Sequence, residues 1–306
     1  MPGLLKPIAE KALGNRLAFR AVSLIRRPKA LVLAFHNVLP DGVRPRGDRS
    51  LKLPVDSFRA IIDWIPDAFD VVPLDSVFAE SGFESERPRA AITFDDAYEG
   101  AISVGIPELQ RRGLPATVFV VSGADSSQTF WWDALADGFP DGLPPKLREA
   151  ALTKAKGRDE DVRAWAYENG LPMVGMSGAF VSASWDEIER TAALPGVTIG
   201  SHSRTHANLA ALIHAELVTE LVESRRDLSA RLPGTRPWLA YPYGRYSREV
   251  ELASEHAGYE FACRVSGGTV LRRDDPVPLY RVPRLNIPAG LTLAGFRLLA
   301  AGLLGR

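Results

Sequence analysis

The sequence predicts an α/β protein built as a barrel of mainly parallel strands. Three observations carry the prediction. Short apolar runs alternate with helical patterns along the chain, which is the rhythm of βα units. Several of those runs stop abruptly at polar, chemically capable residues, as strands do when a parallel barrel presents side chains at their carboxyl ends. The chain has 306 residues, 46% of them hydrophobic and 24% charged, enough for one large barrel or two smaller domains with a sizeable core.

The first strand is ALVLAF, residues 30 to 35, ending at His36. AAITF, residues 90 to 94, is the second and ends at Asp95 and Asp96; ATVFVV, residues 116 to 121, is the third, bounded by Pro115 and Gly123. Residues 126 to 180 interrupt the rhythm. They hold the aromatic cluster Phe130, Trp131 and Trp132, a proline-rich turn and a charged helical stretch, and read as a helical insertion between barrel strands. Ser184 to Glu187 is a capping box opening a short helix that Pro195-Gly196 closes, and GVTIGS then leads to His202 and His206. Leu209 to Leu232 reads as a long amphipathic surface helix, and WLAYPYG and YEFACRV supply two further strands around a turn. There is no internal repeat and no low-complexity linker.

Composition excludes some functions. Lys plus Arg and Asp plus Glu number 37 each, so no overall field favours nucleic acid. Cys263 is the single cysteine, which rules out an internal disulfide or a cysteine-cluster metal site and fits a reducing compartment; within FACRV it reads as a small buried side chain. The N-terminus lacks the apolar core of a secretory signal, and no stretch is long and apolar enough to span a bilayer, so a cytoplasmic location is expected. Residues 1–29 nevertheless carry seven basic side chains (Lys6, Lys11, Arg16, Arg20, Arg26, Arg27 and Lys29) against Glu10 alone, among Leu, Ile, Val and Phe. The C-terminal segment, 286–306, is strongly apolar. Two readings of these ends stand: peripheral contact with the inner face of a membrane, or ordinary helices packed on the domain.

The chemistry concentrates in two places. One aspartate of the Asp95–Asp96 pair, with His202 and His206, forms a three-ligand set with a second carboxylate beside it. A three-ligand site keeps positions open for water and substrate, which is the equipment of a metal-assisted hydrolase.

TFDDAY, SHSRTH and AYPYG, in this order and each at a strand end, resemble the signature motifs of the polysaccharide deacetylases, the NodB-homology carbohydrate esterases. The resemblance covers about residues 30 to 285. It implies a distorted (β/α)7-type barrel that removes acetyl groups from carbohydrates with a divalent metal, Zn2+ first, with Co2+, Mn2+ and Ni2+ as alternatives. By the same resemblance Asp96, His202 and His206 hold the metal, Asp95 is the general base, and the backbone N–H of Tyr243 helps hold the oxyanion. The pattern is closest to the de-N-acetylases of exopolysaccharides.

Two departures follow. Ala240 stands where many members carry an arginine that orients the base, and no histidine follows the last strands as general acid. His36 is the candidate acid, because it ends the strand beside the aspartate strand; His214 and His256 read as surface residues. RVPRLN, with Arg281 and Arg284, is the candidate source of the missing arginine, and Arg284 also reads as substrate-binding, with Trp131 and Trp132 as a sugar-stacking platform. The expected reaction is de-N-acetylation of N-acetylhexosamine units in an oligosaccharide, an exopolysaccharide or a lipid-linked precursor. A silent carbohydrate-binding protein and a small-molecule amidase on the same fold are the alternatives. The sequence leaves the oligomeric state open.

Overall fold

The computed structural model describes residues 28–78, 87–266, 271–272 and 278–302. Its elements in chain order are β1 (Pro28–Phe35), β2 (Asn37–Leu39), β3 (Lys52–Pro54), α1 (Val55–Ala68), β4 (Asp70–Val71), β5 (Arg89–Phe94), α2 (Ile106–Gln110), β6 (Ala116–Val120), α3 (Trp131–Ala136), α4 (Pro145–Lys154), α5 (Asp159–Glu168), α6 (Trp185–Ala192), β7 (Val197–Ser201), α7 (His214–Arg231), β8 (Trp238–Ala240), α8 (Arg248–His256), β9 (Phe261–Ser266), β10 (Leu271–Arg272), β11 (Val282–Asn286) and α9 (Leu293–Ala300).

Seven strands close into a parallel barrel in the order β1, β5, β6, β7, β8, β9, β11 and back to β1. β4 extends β5 on the outside, β10 pairs antiparallel with the start of β1, and β2 and β3 form a separate parallel pair.

Strand alternation divides the core in two. Ala30, Val32, Ala91, Phe119, Trp238, Ala240, Phe261, Cys263 and Val282 share one buried cluster inside the barrel. Leu31, Leu33, Phe35, Ile92, Phe94, Val118 and Val120 belong to another, against the helices. In α1, Phe58, Ile61, Ile62 and Ile65 recur at helical spacing and are buried, which fixes its inward face. The inward register of β1, β5 and β11 also places His36, Asp95 and Arg284 toward the barrel interior and its mouth.

The insertion folds as α3, α4 and α5 over the carboxyl end of the barrel. Ser184 makes the expected capping box with Glu187. The long helix begins at His214 rather than Leu209, where a short 3-10 turn stands. VPRLN of the RVPRLN run forms the last barrel strand, after Arg281 in a 3-10 turn; a proline inside a run argues against a central strand, and here Pro283 sits in β11 between β1 and β9.

The C-terminal helix packs one face on the domain, as the second reading of that end expects. Phe296, Leu298 and Ala300 of α9 are buried, with the Phe296 ring edge-on to Trp64 of α1 at 5.6 Å and 89°. Phe296 and Ala300 are therefore part of the main core. The basic N-terminal segment lies outside the described residues, apart from the start of β1. Among the described residues no helix is long and apolar enough to cross a membrane.

Candidate metal centre and active site

The site gathers at the carboxyl ends of β1, β5, β7, β8 and β11. The Asp95 N–H donates to the Phe35 carbonyl at 2.9 Å, carrying the β1–β5 ladder one residue past the strand. Beyond it Asp96 and Ala97 take φ values of 69° and 53°, in the left-handed region that costs a side chain strain. Ser203 at 62°, His206 at 56° and Tyr243 at 58° do the same. Five strained non-glycine positions thus mark the loops that aim the functional side chains.

The loop between the histidines is tied from two sides. Glu220 of α7 accepts from the N–H groups of Arg204 and Thr205 at 3.0 and 2.9 Å and from the Thr205 hydroxyl. On the other side Ser122 and Gly123 donate to the Ser203 and Arg204 carbonyls at 3.1 and 2.8 Å. A Cβ on Gly123 would meet the Arg204 carbonyl at 2.8 Å, so this close approach requires glycine.

Asp96 Oδ1 lies 3.4 Å from His202 Nε2 and 3.1 Å from His206 Nε2. One ligand atom from each of the three residues falls within 4.8 Å of the others, and all three are buried. His202 donates through Nδ1–H to the Ala240 carbonyl at 2.8 Å, which leaves its Nε2 lone pair facing Asp96. The buried Asp96 Oδ1 has no hydrogen-bond donor among the described residues. Burial opposes charge on His202, but Asp95 and Asp96 outweigh it and raise its pKa, whereas burial prevails at His206 and lowers it. Acceptors aimed at one buried point beside two carboxylates fit a divalent cation.

Asp95 stands beside this point, held by Arg284. The guanidinium donates to both carboxylate oxygens, at 2.6 and 2.7 Å, and to Thr93 Oγ1 at 3.0 Å. Burial favours the protonated acid, but Arg284, with His202 and His36, overrides it and holds the Asp95 carboxyl below the usual range. Small residues make room for this arrangement: Ala240 and Cys263 are on the inward register, and burial pushes the Cys263 thiol up to about 12 although the Arg284 charge pulls the other way.

Arg284, also expected at the substrate, is 0% exposed, and its guanidinium is committed to Asp95 and Thr93. Arg281 turns outward to Glu251 at 2.7 Å. His36 Nε2 is 3.9 Å from Asp95 Oδ2, and the two line a cavity of about 280 Å³ together with the three ligand residues and Tyr243. His214 and His256 lie on the surface, as expected.

The two tryptophans expected to form a sugar-stacking platform are largely enclosed. Trp131 and Trp132 are 0% and 3% exposed, and both spend their faces and N–H groups inside the protein. Trp132 stacks on Phe130 at 4.6 Å and 6°, and Trp131 Nε1 donates to the Gly157 carbonyl at 3.0 Å and to Tyr243 Oη at 2.9 Å. Trp132 reaches the wall of the cavity beside Asp95, and both tryptophans line a neighbouring cavity of about 410 Å³ together with His206.

Behind that wall runs a network that the sequence reading missed. Trp132 Nε1 donates to Tyr98 Oη at 2.7 Å, and Tyr98 Oη donates to Asp133 Oδ2 at 2.5 Å. Lys52 Nζ reaches the same oxygen at 2.7 Å, and the Asp48 N–H donates to Asp133 Oδ1 at 2.8 Å. Lys52 and Asp133 are both 0% exposed. Burial drives the Tyr98 pKa well above its ordinary value, with the Asp133 and Asp96 charges adding to it, so the hydroxyl keeps its proton.

With this geometry in place, residues 84–262 match the sequence profile of the polysaccharide deacetylases. The chain belongs to the polysaccharide deacetylase family. It is accordingly a carbohydrate deacetylase. This deacetylase is 20% identical over 271 residues to YxkH of Bacillus subtilis strain 168, a protein named for the same family, covering 88% of this chain and 75% of that one. Its fold is similar to IcaB from Ammonifex degensii (TM-score 0.62, 14% identity, 91% of this chain and 99% of that one). It is similar also to a de-N-acetylase from Aggregatibacter actinomycetemcomitans (TM-score 0.57, 15% identity, 84% and 94%). The closed seven-stranded barrel of the deacetylase is the (β/α)7 architecture that the family resemblance implied.

Proposed function

We propose that this deacetylase is a metal-dependent de-N-acetylase acting on N-acetylhexosamine units of an oligosaccharide or polysaccharide. One observation carries the reading: three buried ligand atoms converge beside a carboxylate that a buried arginine holds ionised. The de-N-acetylase likeness supports the N-acetyl bond as the target. An exopolysaccharide or a lipid-linked precursor is the proposed substrate, and the basic, apolar composition of residues 1–29 supports work at the cytoplasmic face of a membrane.

Asp96, His202 and His206 would hold the cation. The donor set of two imidazoles and one carboxylate suits Zn2+ first, with Co2+, Mn2+ and Ni2+ as alternatives. Bound there, such an ion would supply Lewis acidity and lower the pKa of a water to near neutrality.

The remaining chemistry belongs to the chain's own groups. Asp95, ionised and fixed in orientation by Arg284, takes the proton of the attacking water. The Tyr243 N–H, presented by the left-handed turn of AYPYG, is the donor proposed for the oxygen that gains charge. His36, on the same cavity wall, delivers a proton to the departing amine. Without that proton the amine is a poor leaving group, and the acetyl carbon would return to the amide.

Acetate release from N-acetylglucosamine oligomers tests the proposal. Activity is expected to vanish with a chelator and to return with Zn2+. Asp95→Asn is expected to lower kcat by roughly 10³-fold while leaving metal content unchanged. Hydrolysis that persists in metal-free protein, or that survives Asp95→Asn, overturns the mechanism.

A further inference from the structure

The two ligand histidines are held by different means. His202 is oriented in the usual way, by a hydrogen bond from its second ring nitrogen to the Ala240 carbonyl. His206 Nδ1 is buried and has no hydrogen-bond partner among the described residues. Its backbone is left-handed, so the local chain does not favour its position either.

What surrounds the His206 ring is aromatic. Trp132 packs on it at 4.5 Å and 41°, and Tyr243 meets it edge-on at 4.5 Å and 86°. Each of these rings is pinned by its polar tip. Trp132 is tied through Tyr98 to the buried Asp133–Lys52 pair. Tyr243 donates to the Gly157 carbonyl at 2.9 Å and accepts from Trp131 Nε1. Trp131, Trp132, Asp133 and Gly157 all come from the insertion, which also grips the loop beyond His206: the Asn208 N–H donates to the Lys156 carbonyl at 2.7 Å, and its side chain donates to the Leu152 carbonyl at 3.0 Å.

We infer that the insertion is a working part of the metal centre, in which Trp132 and Tyr243 form an aromatic clamp that sets the plane of the His206 imidazole. The clamp does for His206 what the Ala240 carbonyl does for His202. Tyr98, Asp133 and Lys52 are positioning residues that act through Trp132. The inference rests on the proposed metal site, and it assigns to buried residues that are not themselves ligands a role in metal affinity rather than in substrate contact. Ring packing fixes a plane without committing either nitrogen, so Nε2 stays free as a ligand atom.

The test is Tyr98→Phe in the full-length chain, with Trp132→Phe as the second variant. Zn2+ affinity is measured by competition with a chromophoric chelator, and ligand geometry by the visible d–d spectrum of the Co2+-loaded protein. Tyr98→Phe is expected to weaken Zn2+ binding by about 10-fold, in the range seen for outer-shell partners, and to shift the Co2+ bands.

In metal-free protein, the ring signals of His206 in nitrogen-edited NMR spectra are expected to broaden while those of His202 stay sharp; a general loss of structure would broaden both. Should Tyr98→Phe fail to fold, Trp132→Phe is read the same way. Wild-type affinity with an unchanged Co2+ spectrum in the folded variants, or equal broadening of both histidines, overturns the clamp. Failure of the wild type to bind Zn2+ or Co2+ at all would instead strike the proposed metal centre.

Discussion

Two regions of the molecule meet at the cavity and build their shares of it differently. The barrel side is short-range in design: His36, Asp95 and His202 sit just past strand ends and Arg284 within β11, and direct bonds, the Arg284 fork and the Ala240 carbonyl, fix Asp95 and His202. The insertion side works at second hand, through aromatic rings whose tips are tied to a buried ion pair. Barrel strands deliver a side chain to a known place because the pleat and register fix it. An added segment lacks that scaffold, and here rigidity comes from burying charge.

That contrast is broken most severely at Lys52. Removing one partner of a buried pair strands the other charge, at a cost of about 3–5 kcal/mol, whereas replacing both can be neutral. Lys52→Met is therefore expected to lower stability by that amount, and Lys52→Met combined with Asp133→Leu to recover most of it, both measured by urea denaturation. A small effect for the single change would mean that the insertion is not anchored by the pair.

The barrel side is probed next at His36. His36→Gln is expected to slow amide hydrolysis by about 100-fold. Hydrolysis of an acetate ester with a phenolate leaving group, which departs without protonation, should hardly change. Equal losses on both substrates would remove His36 from the role of acid.

The smallest expected effect is on pH dependence. Burial raises the Asp95 pKa and Arg284 is the chief group opposing it. Arg284→Lys keeps the charge but loses the two-pronged contact, so the Asp95 pKa should rise. The base works only when ionised, so the acid limb of kcat/KM is expected to move to higher pH by about one unit, near 1.4 kcal/mol. An acid limb that stays in place would show that the fork does not set the ionisation of the base.

Legibility in the sequence followed the same division. Asp95, Asp96, His202 and His206 could be read because each pair closes a strand run, and His36 because it follows ALVLAF. Arg284 was visible as a candidate for the missing arginine, yet it also read as a substrate contact: Pro283 disguised β11, and the depth of the side chain inside the barrel is not written in the residue. Trp131 and Trp132 announced an aromatic site but not which way it faced. Lys52 and Asp133 lie 81 positions apart, and nothing local links them. Glu220 did leave a trace, as an acid in the stripe that holds Leu217, Leu221 and Leu228, where a charge needs a purpose.

The closure of the barrel sets an order of assembly. Leu33 of β1 pairs with Leu285 of β11, so the first barrel strand waits for nearly the whole chain before its second neighbour arrives. All three ligand residues and the base precede β9 in the sequence, whereas Arg284 comes with the final strand. A nascent chain exposed only as far as β9 thus already carries Asp96, His202 and His206 but lacks the guanidinium that holds the Asp95 carboxyl below its usual range. Ring closure is the step that brings Arg284 to Asp95.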